Sequence, residues 1–419
     1  MRWHIFGALT VCVMSAGRLP GFEVQAVVKK LDLGQHVLHV TARDQDRAIP
    51  LNRDVKVLDA AGQPLADGLN SKNLQAGATV ILSVERDGNQ PVLRSIRTSG
   101  GAAAVTAASS PGDLKQQDTS NLVPLTDLGT DKYQGFEGGL YPGGRNTRPP
   151  EHESAGLRLA ALVQPLDAAG TPSPSGKIVL LAVGFSNTVQ AFNGLMLVAG
   201  EDSELNPQLV LVNGAVGGMS AARIQNPDDG ASGTKYWATV DERLAAAGVT
   251  REQVQAVWIK ETDAGPYAAG FPQHIQTLQS ELTRIVQVVP KRFPNARLAY
   301  VSSRTYGGWA KTRPNGTPPG NFEPFSYESG FADKWLIEQQ LKGDPELSYS
   351  AGKAPWLSWA AYLWTNGPKP RRDGVFFEPD DFRADDRMHE SPAGQRKVGG
   401  LLLSFFKTDP TTKSWFVKN

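Results

Sequence analysis

A serine, a histidine and an aspartate in the C-terminal two thirds of the sequence have the residue types for nucleophilic ester hydrolysis. Ser186 follows an apolar run at 178–183, and a serine hydroxyl becomes a good nucleophile only beside a base. His389 lies in a polar loop, three residues after Asp386. At this spacing the aspartate can hold one ring nitrogen while the other nitrogen takes the serine proton. These three residues are therefore the candidate catalytic set.

The remaining histidines are weaker candidates for the base. His4 falls in an apolar N-terminal segment, and His36 and His39 fall in a β-rich region. His152 stands between two glutamates and His274 opens an amphipathic helix, so we expect both at the surface. His389 is the candidate that remains.

Strands and helices alternate in the part of the chain that contains these residues. A doubly wound parallel sheet with helices on both faces, an α/β fold, is the architecture typical of this alternation. The predicted strands are 178–183, 209–212, 256–259 and 298–301. The predicted helices cover 240–248 and 273–289, the surroundings of Trp335 to Leu341, and a last helix capped by Ser391.

Small, polar and charged residues follow each of these strands. In an open parallel sheet the carboxyl ends of the strands meet at one edge, where ligands bind. The strand exits therefore bring a nucleophile, backbone donors and charge to one crevice. They are residues 184–187, 214–218, 260–263 and 303–304.

Three blocks together resemble the SGNH (GDSL-type) hydrolase family. They are a Gly-x-Ser-Asn start after a strand, a glycine-rich second block, and a late Asp-x-x-His before a C-terminal helix. The similarity covers about residues 175–407. It implies a flavodoxin-like sheet, Ser186 as nucleophile, Asp386 and His389 as its partners, and Gly218 as a backbone donor to the oxyanion.

Two positions depart from the family pattern. Phe185 stands where the first block usually has Asp, and Thr262 stands where the third block has an Asn that donates to the oxyanion. Losing one such donor typically costs about 3 kcal/mol of transition-state stabilisation. The candidates to replace it are the Thr262 hydroxyl, the Asn187 side chain, and positive charge from Lys260 or Arg304.

Four aromatic residues late in the chain leave two interpretations open. Side chains of this type can stack on sugar rings, or they can pack in the core around a strand. The residues are Trp356, Trp359, Tyr362 and Trp364.

The N-terminal quarter predicts an exported protein with a separate β domain. Residues 1–26 resemble a signal peptide with cleavage after Val24-Gln25-Ala26, which indicates a secreted or periplasmic location. Short Val- and Ile-rich runs predict a small all-β domain over 27–98. A Gly-, Ala- and Ser-rich flexible linker follows at 99–122, and the α/β domain takes 123–419.

Composition narrows the classes of function. The net charge of +1 disfavours nucleic-acid binding, and no later run is long enough to span a membrane. The only cysteine is Cys12, so the mature chain would contain no disulfide.

The leading hypothesis is an exported serine esterase that acts on a small-molecule or carbohydrate ester, an acetylesterase being one form. It would need no metal or organic cofactor. The alternative is a non-catalytic binding or structural protein of the cell envelope that retains the fold. The sequence does not define an oligomeric state.

Overall fold

The computed structural model describes residues 22–33, 37–42, 45–51, 55–59, 63–87, 90–98, 119–263, 269–312 and 322–418. The chain divides into two compact units, residues 1–113 and 114–419, and each is described by itself. The predicted signal peptide lies outside the described residues up to position 21, and the predicted linker does so from 99 to 118.

The N-terminal unit is a mixed β-sheet, in agreement with the β region expected from the sequence. Its strands are β1 (Phe22–Asp32), β2 (Val37–Ala42), β3 (Gln45–Pro50), β4 (Lys56–Leu58), β5 (Thr79–Asp87) and β6 (Gln90–Thr98). They run in the order β3-β2-β1-β5-β6-β4, antiparallel except for the parallel pair β4–β6. Short 3-10 turns cover Gly68–Asn70 and Lys72–Leu74. Val28, Leu38, Val40, Val80 and Ile96 are among the buried side chains that form its core.

Strand β1 begins before the cleavage site inferred from the sequence. Five of the six residue pairs between β1 and β5 involve residues 22–26. Cleavage after Ala26 would remove these five pairs, because a strand is held in its sheet by backbone hydrogen bonds to its neighbours. The β unit described here therefore starts by Phe22 rather than at residue 27.

The second unit contains a five-stranded parallel sheet, which confirms the predicted α/β class. Its strands are β9 (Ile178–Gly184), β10 (Leu209–Asn213), β11 (Val254–Lys260), β12 (Leu298–Val301) and β13 (Trp356–Trp359), and a separate short hairpin is made by β7 (Lys132–Tyr133) and β8 (Phe136–Glu137). The order is β10-β9-β11-β12-β13, which is 2-1-3-4-5 in chain order. Every residue of β9 and β11 is buried, so helices cover both faces.

The helices of this unit are α1 (Leu125–Leu128), α2 (Pro150–Ala160), α3 (Ser186–Ala199), α4 (Ala221–Ile224), α5 (Ser232–Ala246), α6 (Gln273–Arg292), α7 (Phe325–Leu341), α8 (Pro392–Thr408) and α9 (Lys413–Phe416), with 3-10 turns at Arg251–Gln253, Pro345–Leu347 and Pro379–Asp381. The four predicted helices correspond to α5, α6, α7 and α8 of the structure, with shifted ends, and the other helices were not predicted. Ser391 caps α8 by accepting the Gly394 N–H, as its sequence position predicted. Within the described ranges, no helix has both the length and the apolar character to cross a bilayer.

The α/β unit starts earlier than the predicted boundary at 123. The Thr119 hydroxyl donates to the Asn366 side chain at 2.7 Å, and the Asn366 amide donates back to the carbonyls of Thr119 and Leu122. Leu122 is buried in the core of the unit. Residues 119–122, which composition had assigned to the linker, are therefore packed within the α/β unit.

Candidate active site

Ser186 is the first residue of α3, directly beyond the carboxyl end of β9. The turn between them needs a glycine: Gly184 has φ of +153°, and a side chain there would overlap the Lys260 carbonyl and the Thr188 hydroxyl. Phe185 is extended, and the helix starts at the next residue. This tight turn places the serine at the sheet edge where β9 and β11 adjoin, which is the switch point of the 2-1-3-4-5 order.

His389 bridges Ser186 and Asp386 by hydrogen bonds from both ring nitrogens. Its Nε2 lies 2.8 Å from Ser186 Oγ, and its Nδ1 lies 2.5 Å from Asp386 Oδ2. Because a carboxylate only accepts, Nδ1 carries the proton and Nε2 is left to accept the serine O–H. The structure thus brings together the three residues selected from the sequence in one continuous chain of hydrogen bonds.

Asp386 is held in its ionised form. Its Oδ1 accepts the backbone N–H groups of Met388 and His389, both at 3.0 Å, and Arg383 donates to its Oδ2 at 2.6 Å. Partial burial alone would raise the pKa of Asp386, but the hydrogen bonds from the His389 ring and from the two N–H groups outweigh it and lower the pKa below its usual range. The aspartate can therefore stabilise a protonated His389 at neutral pH.

Backbone N–H groups from two elements border Ser186. The first N–H groups of α3 have no acceptor within the helix, as at any helix start. Gly218 has φ of +76°, and its N–H has no acceptor among the described residues. The neighbouring Gly217 lies so near that a Cβ built on it would be 3.9 Å from Ser186 Cβ. The glycine-rich segment after β10 therefore passes beside the serine, and Gly218 stays a predicted donor to an oxyanion.

Thr262 follows β11, the strand beside β9. Its N–H donates to its neighbour Glu261 at 2.8 Å, and its carbonyl accepts from Ala221. These bonds fix the backbone of Thr262. Thr262 thus stays a predicted donor to an oxyanion.

Asn187 is not placed to donate to an oxyanion, so this expectation is wrong. The side chain is fully buried, and its Nδ2 donates to the Met388 carbonyl at 2.9 Å and to Glu390 Oε2 at 3.2 Å. Both donors are used to connect α3 with the loop that carries His389.

Lys260 and Arg304 lie in the interior rather than in an open crevice. Lys260 is 1% exposed, its Nζ lies 3.8 Å from Glu390 Oε1, and burial lowers its pKa to about 8. The Arg304 guanidinium lies 4.9 Å from the centre of the Phe185 ring, a cation–π contact. This contact gives Phe185 a structural role.

Glu390 is a residue of this region that the sequence did not indicate. It follows His389 and is fully buried. Its Oε1 accepts from the Thr305 hydroxyl at 3.2 Å, its Oε2 accepts from Asn187, and its N–H donates to Gln190 at 3.0 Å. A glutamate in a polar loop normally indicates exposure, and only its position beside His389 could have drawn attention to it.

Other side chains considered from the sequence have structural roles. His152 and His274, expected at the surface, are buried: His152 bonds the Leu357 carbonyl at 2.8 Å, and His274 Nε2 lies 2.9 Å from Glu328. The four late aromatic residues are at most 4% exposed, so they pack in the core and do not form a sugar-stacking surface. Among the described residues, no group of His, Cys, Asp and Glu is arranged to hold a metal ion.

No protein-family model and no curated protein matches the sequence. The similar solved structures include a lipase from a goat rumen metagenome (12% identity, 56% of this chain and 100% of that chain, TM-score 0.30). They also include a family two carbohydrate esterase from Clostridium thermocellum in complex with cellohexaose (12% identity, 93% and 89%, TM-score 0.32). Apo-CusF from Escherichia coli is similar over 21% of this chain and 99% of its own (16% identity, TM-score 0.16). TM-scores of this size do not establish a common fold.

Proposed function

We propose that the α/β unit is an SGNH-like serine ester hydrolase. The observation that carries the proposal is the continuous hydrogen-bond chain from Ser186 Oγ through His389 to Asp386. The three side chains come from two separate elements, the start of α3 and the loop before α8. An ordinary surface cluster would have no reason to place an imidazole between a serine at a helix start and an ionised carboxylate.

The geometry supports an acyl-enzyme mechanism. Ser186 Oγ attacks the ester carbonyl while His389 Nε2 takes the serine proton. The resulting oxyanion is stabilised by the N–H groups of Ser186 and Gly218, with the Thr262 hydroxyl as a third donor. His389 then protonates the departing alcohol, which leaves an acyl group on Ser186. Water, deprotonated by His389, hydrolyses this ester and restores the serine.

The proposed substrate is a small acyl ester, and an acetylated carbohydrate is the form we favour. The likeness to the family supports this choice, as does the export inferred from the N-terminal segment. An enzyme secreted or placed in the periplasm meets carbohydrate polymers directly. Sequencing the N-terminus of protein recovered from the culture medium and periplasm would test the location.

A fluorophosphonate probe tests the proposal directly, since it reacts only with an activated serine. We expect the full chain to be labelled at Ser186 and to hydrolyse 4-nitrophenyl acetate. Ser186→Ala should abolish both, whereas Ser404→Ala, at an exposed serine of α8, should change neither. A folded wild-type chain that is neither labelled nor active would overturn the proposal and favour the non-catalytic alternative.

A further inference from the structure

Glu390 is a carboxylate that is buried in the interior of the protein. It is 0% exposed, and it follows the histidine that bonds Ser186. An ionised carboxylate without partners is costly to bury, so its surroundings must compensate. They do so with the Thr305 hydroxyl and the Asn187 amide, each at 3.2 Å, and with Lys260 Nζ at 3.8 Å.

The three partners of Glu390 come from three different elements at one edge of the sheet. Asn187 is the second residue of α3, adjacent to Ser186. Lys260 ends β11, and Thr305 follows β12. A single carboxylate therefore connects the chain segment of His389 to the strand ends that surround the serine.

Asn187 holds the histidine segment on both sides of His389. The same Nδ2 donates to the Met388 carbonyl, which precedes His389, and to the Glu390 carboxylate, which follows it. Asp386 controls the rotation and tautomer of the ring through Nδ1. The distance from the ring to Ser186 depends on where the segment itself lies, and the hydrogen bonds of Asn187 and Glu390 contribute to that position.

We infer that Glu390 is a positioning residue that, through Asn187 and Lys260, holds His389 Nε2 within hydrogen-bonding distance of Ser186. It touches no reacting atom. The inference rests on the proposed function. A misplacement of a catalytic group by about 1 Å can cost on the order of 100-fold in rate, so loss of this anchor should affect the chemical step.

Glu390→Gln is the main variant, because it keeps the shape and removes the charge that faces Lys260. With 4-nitrophenyl acetate we expect kcat to fall about 10- to 100-fold with little change in KM, since the substrate is not contacted. Thr305→Val removes one hydrogen bond to Glu390 at nearly constant volume, and it should give a smaller fall in kcat. This second variant serves if Glu390→Gln folds poorly.

Asp409→Asn is the matched control. Asp409 forms a largely buried ion pair with Arg148. It follows the last residue of α8, whose 17 residues span about 25 Å, so it lies far from the site at the start of that helix. Its loss should lower the melting temperature and leave kcat unchanged in the folded protein.

A double variant separates positioning from general stability. If Asn187 and Glu390 act through one anchor, Asn187→Ala combined with Glu390→Gln should reduce kcat about as much as the stronger single change. If the wild type is active and folded Glu390→Gln has an unchanged kcat, the inference is overturned and the proposed function stays intact. The same holds if Asp409→Asn loses as much kcat as Glu390→Gln. An unlabelled, inactive wild type overturns the proposed function, and the inference with it.

Discussion

Gly399 of α8 lies directly against the backbone of Gly194 in α3. A side chain at Gly399 would overlap the main chain of Gly194, and a side chain at Gly194 would overlap the main chain of Gln395. The two helices therefore touch backbone to backbone where they cross. Since α3 starts with Ser186 and α8 follows the loop of His389, this crossing limits how far apart Ser186 and His389 can lie.

Gly399→Ala should separate the two helices and impair both stability and activity. Forcing a methyl group into a packed contact typically costs about 1–3 kcal/mol. We expect a lower free energy of unfolding in a urea titration and slower fluorophosphonate labelling of the remaining folded protein.

Gly400→Ala is the control for the Gly399 variant, one residue further along the same helix. A Cβ at Gly400 would meet nothing within 4 Å, so alanine should stabilise the helix by about 0.5–1 kcal/mol and leave labelling unchanged. Equal effects of the two substitutions would contradict the tight crossing.

Asp386→Asn should leave the fold intact and reduce kcat by about three to four orders of magnitude. An asparagine can donate to Nδ1 and favour the tautomer in which Nε2 carries the proton, so His389 could no longer accept from Ser186. Stopped-flow or prolonged assays with 4-nitrophenyl acetate would measure the loss. Asp380→Asn, at an aspartate whose side chain is 90% exposed in the same region, should keep wild-type activity.

Thr262→Val should lower kcat by about 10- to 100-fold with little change in KM, because valine keeps the shape and removes the hydroxyl proposed to stabilise the oxyanion. The corresponding change at Thr277, whose exposed hydroxyl bonds the Gln273 carbonyl on α6, should have no effect on rate. An unchanged kcat in Thr262→Val would assign oxyanion binding to the backbone N–H groups without Thr262.

Glu281→Gln should stabilise the protein at alkaline pH and not at acidic pH. Burial, together with the hydrogen bond to Asp263 and its negative charge, raises the pKa of Glu281 from 4.5 to about 8. A raised carboxyl pKa contributes stability that is complete below 4.5 and is lost as the pH rises towards 8. Glutamine stays uncharged near Asp263 at every pH.

The measurement for Glu281 is the free energy of unfolding of variant and wild type at about pH 5 and about pH 8. The variant should gain at the higher pH relative to wild type, while Glu242→Gln, at an exposed glutamate of α5, should show no such difference. If the free energies of unfolding of Glu281→Gln and wild type change equally between the two pH values, Glu281 is not held protonated.

The strands and the candidate triad could be predicted because each has a short-range signal. A continuous apolar run such as 178–183 is typical of a strand buried on both faces, and β9 occupies it with one further residue. The rule that parallel strands end at one edge then placed Ser186 in a crevice. His389 was selected by the nearby Asp386 and by elimination, and the structure puts its ring beside the serine.

The directions of individual side chains could not be predicted in the same way. Asn187 and Lys260 lie near strand ends as expected, yet both side chains are buried. Lys260 is the last residue of β11, a strand buried along its whole length, and Asn187 lies in the first turn of α3 on its buried side. Helical spacing could have corrected one histidine: His274 lies four and eight residues before the buried Leu278 and Leu282. The polar residues next to His274 in the sequence had instead indicated a surface position.

The bond between Ser186 and His389 joins positions 203 residues apart. While the chain is being synthesised, β9 and the serine emerge long before the loop and helix that supply the base. Until residue 389 has been added, Ser186 has no imidazole beside it. The proposed ester cleavage would therefore require Asp386 and His389 as well as the sheet, and a chain shortened before Asp386 would be inert however well its sheet had formed.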